Sequence, residues 1–216
     1  MRLYHYIYLF VFLVTIILSF VYKDKLKGSA LQTLPYSLSV IWLVDVASLM
    51  LVILFKKYNV WLINLLVDFQ LLYVFGLYYF LFRTRKYKII SLLSAVFFQL
   101  LFVGRLIYFG NWNIYQEFSF FAGTFLQIVV LLLFLLEMLQ SDDFLYIHHY
   151  TVFWVTLAFL LYWVIPFPVS FWLYSFYKYG SEYMAKLSAH IQFVANLLMY
   201  FSLIFGFIWS KRRYKL

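Results

Sequence analysis

Charged side chains within apolar surroundings are the first residues of this chain that could do chemistry. Asp68 and Arg105 both lie in long apolar runs, and opposite charges at similar depth could form an ion pair. Glu117, at the start of a later apolar run, is the competing partner for Arg105. Because an ionisable group in hydrocarbon costs roughly 2.5–3.5 kcal/mol, such groups normally face a protein interior, where they bind a ligand or mark an ion pathway.

Uncharged polar residues extend this set. Asn64 and Asp68 are four residues apart, so they share one face of a helix. Gln99, His190 and Asn196 stand in other apolar runs. Together these residues predict an outward-opening polar pocket with aromatic walls, the usual composition of a ligand site in a helix bundle. The alternative is a set of structural hydrogen bonds that tie neighbouring helices together.

Three further polar residues lie deep in apolar runs. Asp45 stands near the middle of its run, where we expect it to hydrogen bond to a neighbouring helix; a proton-coupled role is the alternative. Thr124 and Gln127 add two uncharged groups to the run that follows Glu117. These two could also line the predicted pocket.

A second constellation combines carboxylates with imidazoles, the ligand types of many divalent metal sites. It consists of Glu137, Asp142, Asp143, His148 and His149. Adjacent histidines point about 100° apart on a helix, whereas metal-binding pairs usually stand four residues apart. We therefore predict a solvated loop beside a helix start, with no metal and no cofactor. Metal binding or catalysis by this cluster is the alternative.

The composition indicates where all these residues must lie. Apolar residues make up 67% of the 216 residues, aromatic residues 25% and charged residues 12%, whereas soluble domains have about 25% charged residues. These values exclude a soluble globular enzyme, a disordered chain and a nucleic-acid-binding domain. The absence of cysteine excludes disulfides, thiolate metal sites and thiol nucleophiles.

Seven segments are each about long enough to cross hydrocarbon of about 30 Å at 1.5 Å per residue. They are apolar on every face, as membrane helices are, and backbone groups in lipid must be satisfied within the segment. The chain is therefore predicted to be a single polytopic all-α membrane domain over 1–216, a seven-transmembrane-helix bundle. The segments lie near 4–22, 36–55, 59–82, 89–109, 117–139, 147–166 and 188–210.

The orientation follows from the distribution of positive charge, which totals a net +9. The loops at 23–27 and 83–88 and the tail at 211–215 carry eleven lysines and arginines, and the opposite side carries five. Because positive loops stay on the cytoplasmic side, the C-terminus is predicted to be cytoplasmic and the N-terminus outside. The acidic loop after the fifth segment must then also be cytoplasmic, which the rule tolerates because acidic residues contribute little to it.

Two prolines complicate the sixth segment. Pro166 and Pro168 stand where a straight helix would continue, and proline removes a backbone donor and clashes with the preceding turn. We therefore expect the helix to end near Ile165, with the aromatic stretch 167–179 lying along the outer interface. The alternative is one long kinked helix of about 28 residues.

Two stretches carry a family resemblance. In 132–168, Phe-Leu-Leu-Glu-Met-Leu precedes a short polar loop, then Phe153-Trp154 and the Ile165-Pro166 break. In 191–213, Ile-Gln-Phe-Val-Ala-Asn-Leu-Leu-Met-Tyr is followed by Phe-Gly-Phe-Ile-Trp-Ser-Lys-Arg-Arg. Here the chain resembles uncharacterised seven-helix integral membrane proteins of Bacteroidota-type bacteria. That resemblance implies a protein of the bacterial inner (cytoplasmic) membrane and implies no activity.

Four functions fit these residues. The first is a non-enzymatic sensor or receptor-like module that binds a small or lipophilic ligand in the outer pocket and signals to a cytoplasmic protein partner. The second is a transporter or channel subunit with a charged pathway at Asp45, Asp68 and Arg105. The third is an oligomerising membrane effector, and the fourth a lipid-modifying enzyme. The expected surroundings are the lipid bilayer and no nucleic acid, and the oligomeric state is left open.

Overall fold

The computed structural model is all-α, which confirms the helical part of the predicted fold class. It describes residues 2–55, 59–112, 114–141, 144–169 and 182–210, and these ranges contain no β-strand. We number their long helices α1 to α7, and each overlaps one of the predicted segments. Their bounds are Arg2–Val21, Leu34–Phe55, Val60–Leu81, Arg85–Phe109, Glu117–Leu139, Thr151–Val164 and Glu182–Trp209.

Six stretches are long and apolar enough to cross a bilayer. A seventh apolar helix, Tyr6–Val21 within α1, is shorter. Less than half of each stretch is buried inside the chain itself, which suits helices that lipid surrounds. The six are Ala30–Leu54, Val60–Leu81, Arg85–Phe109, Glu117–Leu139, Thr151–Val169 and Lys186–Trp209.

Three helix starts differ from the predicted segments by four residues or more. Helix α7 begins at Glu182, six residues before the predicted segment, because a helix backbone can continue past the edge of an apolar run. Helix α4 begins at Arg85, four residues before the predicted segment, because the long basic side chains of its first turns can reach water while their backbone is helical. Helix α6 begins at Thr151, later than predicted, because Phe144–His149 forms a 3-10 helix before it.

The proline break after α6 is present. The helix ends at Val164, and the N–H of Ile165 still donates to the carbonyl of Leu161. A turn at Ile165 and Pro166 follows, and residues 167–169 are helical again. The rest of the 167–179 stretch lies outside the described residues. The choice between an interfacial segment and a kinked helix therefore stays a prediction.

The chain divides into two compact units. One consists of Met1–Pro35 and Leu131–Leu216, and the other of Tyr36–Val130. We call them the terminal unit and the central unit.

In the terminal unit, α1 lies parallel to α7. The ring of Tyr4 is 5.1 Å from that of Phe193, and further along both helices Phe12 stacks on Tyr200 with ring centroids 4.5 Å apart. Phe12 and Tyr200 are both buried. The two helices therefore run in the same direction and pack through aromatic side chains.

Helix α6 lies antiparallel to α7. At the start of α6, the hydroxyl of Thr151 is 2.7 Å from that of Ser210, which follows the last residue of α7. One turn further, the ring of Trp154 is 4.6 Å from that of Phe205. A β-carbon at Gly206 would overlap the side chain of Trp154, so this close approach requires glycine.

A cation from the segment after α1 caps the end of α7. The Nζ of Lys25 donates to the carbonyl oxygens of Phe207 at 2.6 Å, Ile208 at 3.1 Å and Ser210 at 2.6 Å. The last carbonyls of a helix have no partner within the helix, and they carry partial negative charge. The end of α1, the start of α6 and the end of α7 therefore meet at one end of the terminal unit.

In the central unit, α3 and α4 pack antiparallel, and the first half of α5 packs on α4. The hydroxyl of Ser91 donates to the carbonyl of Phe75 at 2.8 Å. The rings of Phe102 and Phe120 stack 5.8 Å apart. A β-carbon on Gly123 would lie 2.7 Å from the ring of Phe98, so α5 approaches α4 closely at this glycine.

Candidate functional site

The central unit gathers polar residues from α3, from α4 and from the loop that leads into α5. We call this set the α3–α4 polar cluster. It consists of Asn64, Asp68, Gln99, Arg105 and Gln116. Four of the five are residues that the sequence singles out, and Gln116 is not.

Asn64 holds the loop between α4 and α5. Its fully buried amide donates to the carbonyls of Trp112 at 3.0 Å and Ile114 at 2.9 Å. Its Oδ1 accepts from the backbone N–H of Gln116 at 3.4 Å. The amide is therefore committed to the loop backbone, and Asn64 positions the loop rather than a ligand.

Gln116 links this loop to Arg105. Its side chain is fully buried, and its Oε1 accepts a hydrogen bond from the Nε of Arg105 at 3.3 Å. The sequence does carry a signal for this burial. Gln116 stands four residues before Phe120 and seven before Gly123, so it continues the buried face of α5 outward by one turn. Gln116 lies between two predicted helices, however, and polar residues in such loops are usually exposed to water, so the sequence does not single it out.

Arg105 lies four residues before the end of α4, about 6 Å along the helix axis. Its guanidinium carbon is 5.0 Å from the ring centroid of Phe109 and 5.7 Å from that of Phe118. A guanidinium has five N–H donors, and Gln116 uses one. The other four have no hydrogen-bond partner in the part of the chain that the structure describes. Nor does any described carboxylate form an ion pair with Arg105.

Asp68 bonds to a different residue from the one predicted. Its Oδ1 accepts from the Nε2 of Gln99 at 2.5 Å, so the expected ion pair with Arg105 is not formed. The competing pair of Arg105 with Glu117 is not formed either. Glu117 instead occupies the first turn of α5, where its negative charge interacts favourably with the positive end of the helix dipole.

The remaining predicted pocket residues are spread over both units. Asp45 lies half-buried in the middle of α2, in the central unit. His190 and Asn196 lie on α7, in the terminal unit. The Nδ1 of His190 is 2.6 Å from the carbonyl of Lys186, one turn earlier, and its ring packs edge-on against Tyr4 at 5.5 Å. His190 is thus engaged within its own unit, and Asn196 is half-buried there.

The histidine pair lies in the turn before α6. The rings of His148 and His149 are 4.1 Å apart, and the carbonyl of His148 accepts from the indole N–H of Trp154 at 2.8 Å. Asp142 and Asp143 lie outside the described residues. Among the residues that are described, no three histidine or acidic side chains come close enough to hold a metal ion.

Comparison with family models, with curated proteins and with solved structures found no match to this chain. The resemblance to the membrane proteins of Bacteroidota-type bacteria therefore stays a prediction. The function has to be inferred from the geometry of the residues themselves.

Proposed function

We propose that the chain is an integral protein of the bacterial cytoplasmic membrane in which α1 to α7 each cross the bilayer. The meeting of Lys25, Thr151 and Ser210 at one end of the terminal unit supports this number. The chain leaves this end after Lys25 and returns to the same end at Thr151. It therefore has to cross the membrane an even number of times between these two residues. Helices α2 to α5 supply four crossings, and α1, α6 and α7 bring the total to seven.

The charges support the orientation. Lys23, Lys25 and Lys27 lie at the same end of the terminal unit as the end of α7, which precedes the basic residues of 211–215. Positive loops are retained in the cytoplasm, so this end is the cytoplasmic one and the N-terminus is outside. The loop 110–116, at the other end of α4, then faces the outside together with Arg105.

Within this topology we infer a non-enzymatic, receptor-like module that binds an anionic group of a small or lipophilic ligand at Arg105. The observation that carries this function is the guanidinium, which lies about one turn inside α4 with four N–H donors and no carboxylate partner among the described residues. A planar fork with parallel N–H groups matches a carboxylate or a phosphate. The rings of Phe109 and Phe118 beside it suit an apolar chain attached to that anion.

The cluster also offers a route from ligand to helix movement. Gln116 accepts from Arg105, and its backbone is held by Asn64 of α3. An anion that draws the guanidinium toward itself competes with Gln116, and it thereby loosens the link between α4 and the loop into α5. The signal would pass to a cytoplasmic protein partner, because the loops are too short to hold a catalytic or signalling domain.

The test is thermal unfolding of the purified protein in neutral detergent with dodecyl phosphate, dodecanol and inorganic phosphate as probes. Dodecyl phosphate should raise the unfolding midpoint of the wild type, because a ligand of the folded state stabilises it by mass action. Arg105→Gln should weaken its apparent affinity about tenfold or more, the effect of losing a charged hydrogen-bond donor. Arg85→Gln, at the opposite end of the same helix, is the matched control and should respond as the wild type does.

The three probes separate the sources of the anion. If only inorganic phosphate shifts the unfolding midpoint, the ligand is a soluble anion. If only dodecyl phosphate shifts it, the ligand is a lipophilic anion. An equal response to dodecanol, or an unchanged response in Arg105→Gln, would overturn the proposal.

A further inference from the structure

One buried amide in α5 is not part of the proposed anion site. Gln127 is fully buried, and neither its Nε2 nor its Oε1 has a hydrogen-bond partner among the described residues. It lies ten residues after the start of α5, about 15 Å along the axis and so near the middle of a crossing. At that depth, bulk water cannot satisfy the amide, and a buried polar group without a partner is strongly disfavoured.

Helix periodicity predicts a second polar group opposite Gln127. Gly123 of α5 contacts Phe98 of α4. Gln127 stands one turn beyond Gly123, and Ser94 stands one turn before Phe98. Because α4 and α5 run antiparallel here, both residues lie on the same side of that contact, on the faces that the two helices turn toward each other.

Gln127 and Ser94 are predicted to lie at similar heights along the two helices, and they are not hydrogen bonded to each other. Ser94 is buried, and so is Thr124, which precedes Gln127 by three residues on α5. No described donor or acceptor lies within hydrogen-bond distance of the Gln127 amide, so neither hydroxyl reaches it. A water molecule can bridge polar groups that face each other beyond direct bonding distance.

We propose that Gln127 and Ser94 hold a water molecule between α4 and α5 at the middle of the membrane. The site offers an amide with two donors and an acceptor, and hydroxyls that can do either. An internal water makes about three hydrogen bonds to such groups. All the groups are neutral, which suits water rather than an ion.

The test is nuclear magnetic resonance on the full chain in lipid nanodiscs, with glutamine labelled with ¹⁵N. The Gln127 side-chain amide is assigned by its loss in Gln127→Met, with Gln127→Leu as the second variant should the first fail to fold. We expect a cross-peak between this amide and water. Gln32, which is exposed, provides the positive control. In Ser94→Ala, the Gln127 cross-peak should lose at least half of its intensity, whereas that of Gln32 should be unchanged.

Two outcomes would overturn the inference. The first is a Gln127 amide without a water cross-peak in a sample where Gln32 shows one. The second is a Gln127 cross-peak of unchanged intensity in folded Ser94→Ala, which would remove Ser94 from the site. Neither depends on the anion site at Arg105.

Discussion

The Nζ of Lys25 lies 2.6 Å from the carbonyl oxygen of Ser210, although 185 residues separate them in the chain. This contact fastens the segment after the first helix to the end of the last one. Together with the aromatic pairs along α1 and α7, it makes the two ends of the chain part of one compact unit. The stability of this unit should therefore depend on a single lysine.

Lys25→Met should lower the free energy of unfolding by about 1–2 kcal/mol, the value of a cation at a partly buried helix C-terminus. Methionine keeps most of the side-chain length and removes only the ammonium that three carbonyls accept from. Lys27→Met is the control. Its exposed pair with Asp24 should contribute little. The measurement is thermal unfolding in detergent, and equal effects of the two substitutions would contradict the capping role.

Asn64→Leu should destabilise the protein by about 2–4 kcal/mol. The substitution removes three hydrogen bonds to the loop backbone, and each such bond contributes about 0.5–1.5 kcal/mol net. Gln70→Leu removes an amide from the same helix that forms no hydrogen bond with a described residue, and it should have a small effect. Thermal unfolding and limited proteolysis at loop 110–116 would report the change, and an intact loop in Asn64→Leu would show that Asn64 does not hold it.

Gly123→Ala should destabilise the central unit by about 1–3 kcal/mol, the usual cost of overpacking. The new β-carbon would lie 2.7 Å from the buried ring of Phe98 and 2.9 Å from Leu71. Gly104→Ala is the matched control, because nothing lies within 4 Å of its β-carbon position. It should be neutral or stabilising by up to about 1 kcal/mol, since alanine favours the helix.

The double variant Gly123→Ala with Phe98→Leu completes this test. A smaller side chain at position 98 makes room for the β-carbon, so the double variant should lose less stability than the sum of the two single ones. Strict additivity would show that Gly123 is needed for some reason other than this contact.

Single cysteines can test the topology, because the chain has none of its own. In intact spheroplasts, a membrane-impermeant maleimide should label Asn111→Cys. It should label Lys27→Cys and Thr84→Cys only after the membrane is opened. All three positions are exposed in the structure. Labelling of Lys27→Cys and Asn111→Cys from the same side would contradict seven crossings, and a reversed pattern would contradict the orientation.

The positions of the helices along the chain could be read from the sequence, and the contacts of their polar residues could not. Helix α5 occupies 117–139 as predicted, because Glu117 and the polar residues after Leu139 bound a continuous apolar run. Helices α4 and α7 begin before their predicted segments, since charged residues mark the edge of an apolar run without ending the helix backbone.

The pairing of Asp68 shows what a sequence leaves open. Depth along the helix made Arg105 a plausible partner, yet Gln99 and Arg105 stand six residues apart on α4, about 9 Å along the axis and about 240° around it. The contact of Ser91 with Phe75 sets the antiparallel register of the two helices, and Gln99 then lies level with Asp68. That register depends on close packing, which one sequence alone does not reveal.

The parallel pairing of α1 with α7 has a consequence for how the protein is made. Helix α1 is translated before the helix on which it packs, and Ser210 follows Lys25 by 185 residues. At about 5–20 residues per second, α1 waits about 9–37 s for the helix on which it packs. During that time, Tyr4, Tyr8 and Phe12 face lipid or a helper of the insertion machinery. A ribosome that stalled before α7 would leave α1 in the bilayer without the helix on which it packs.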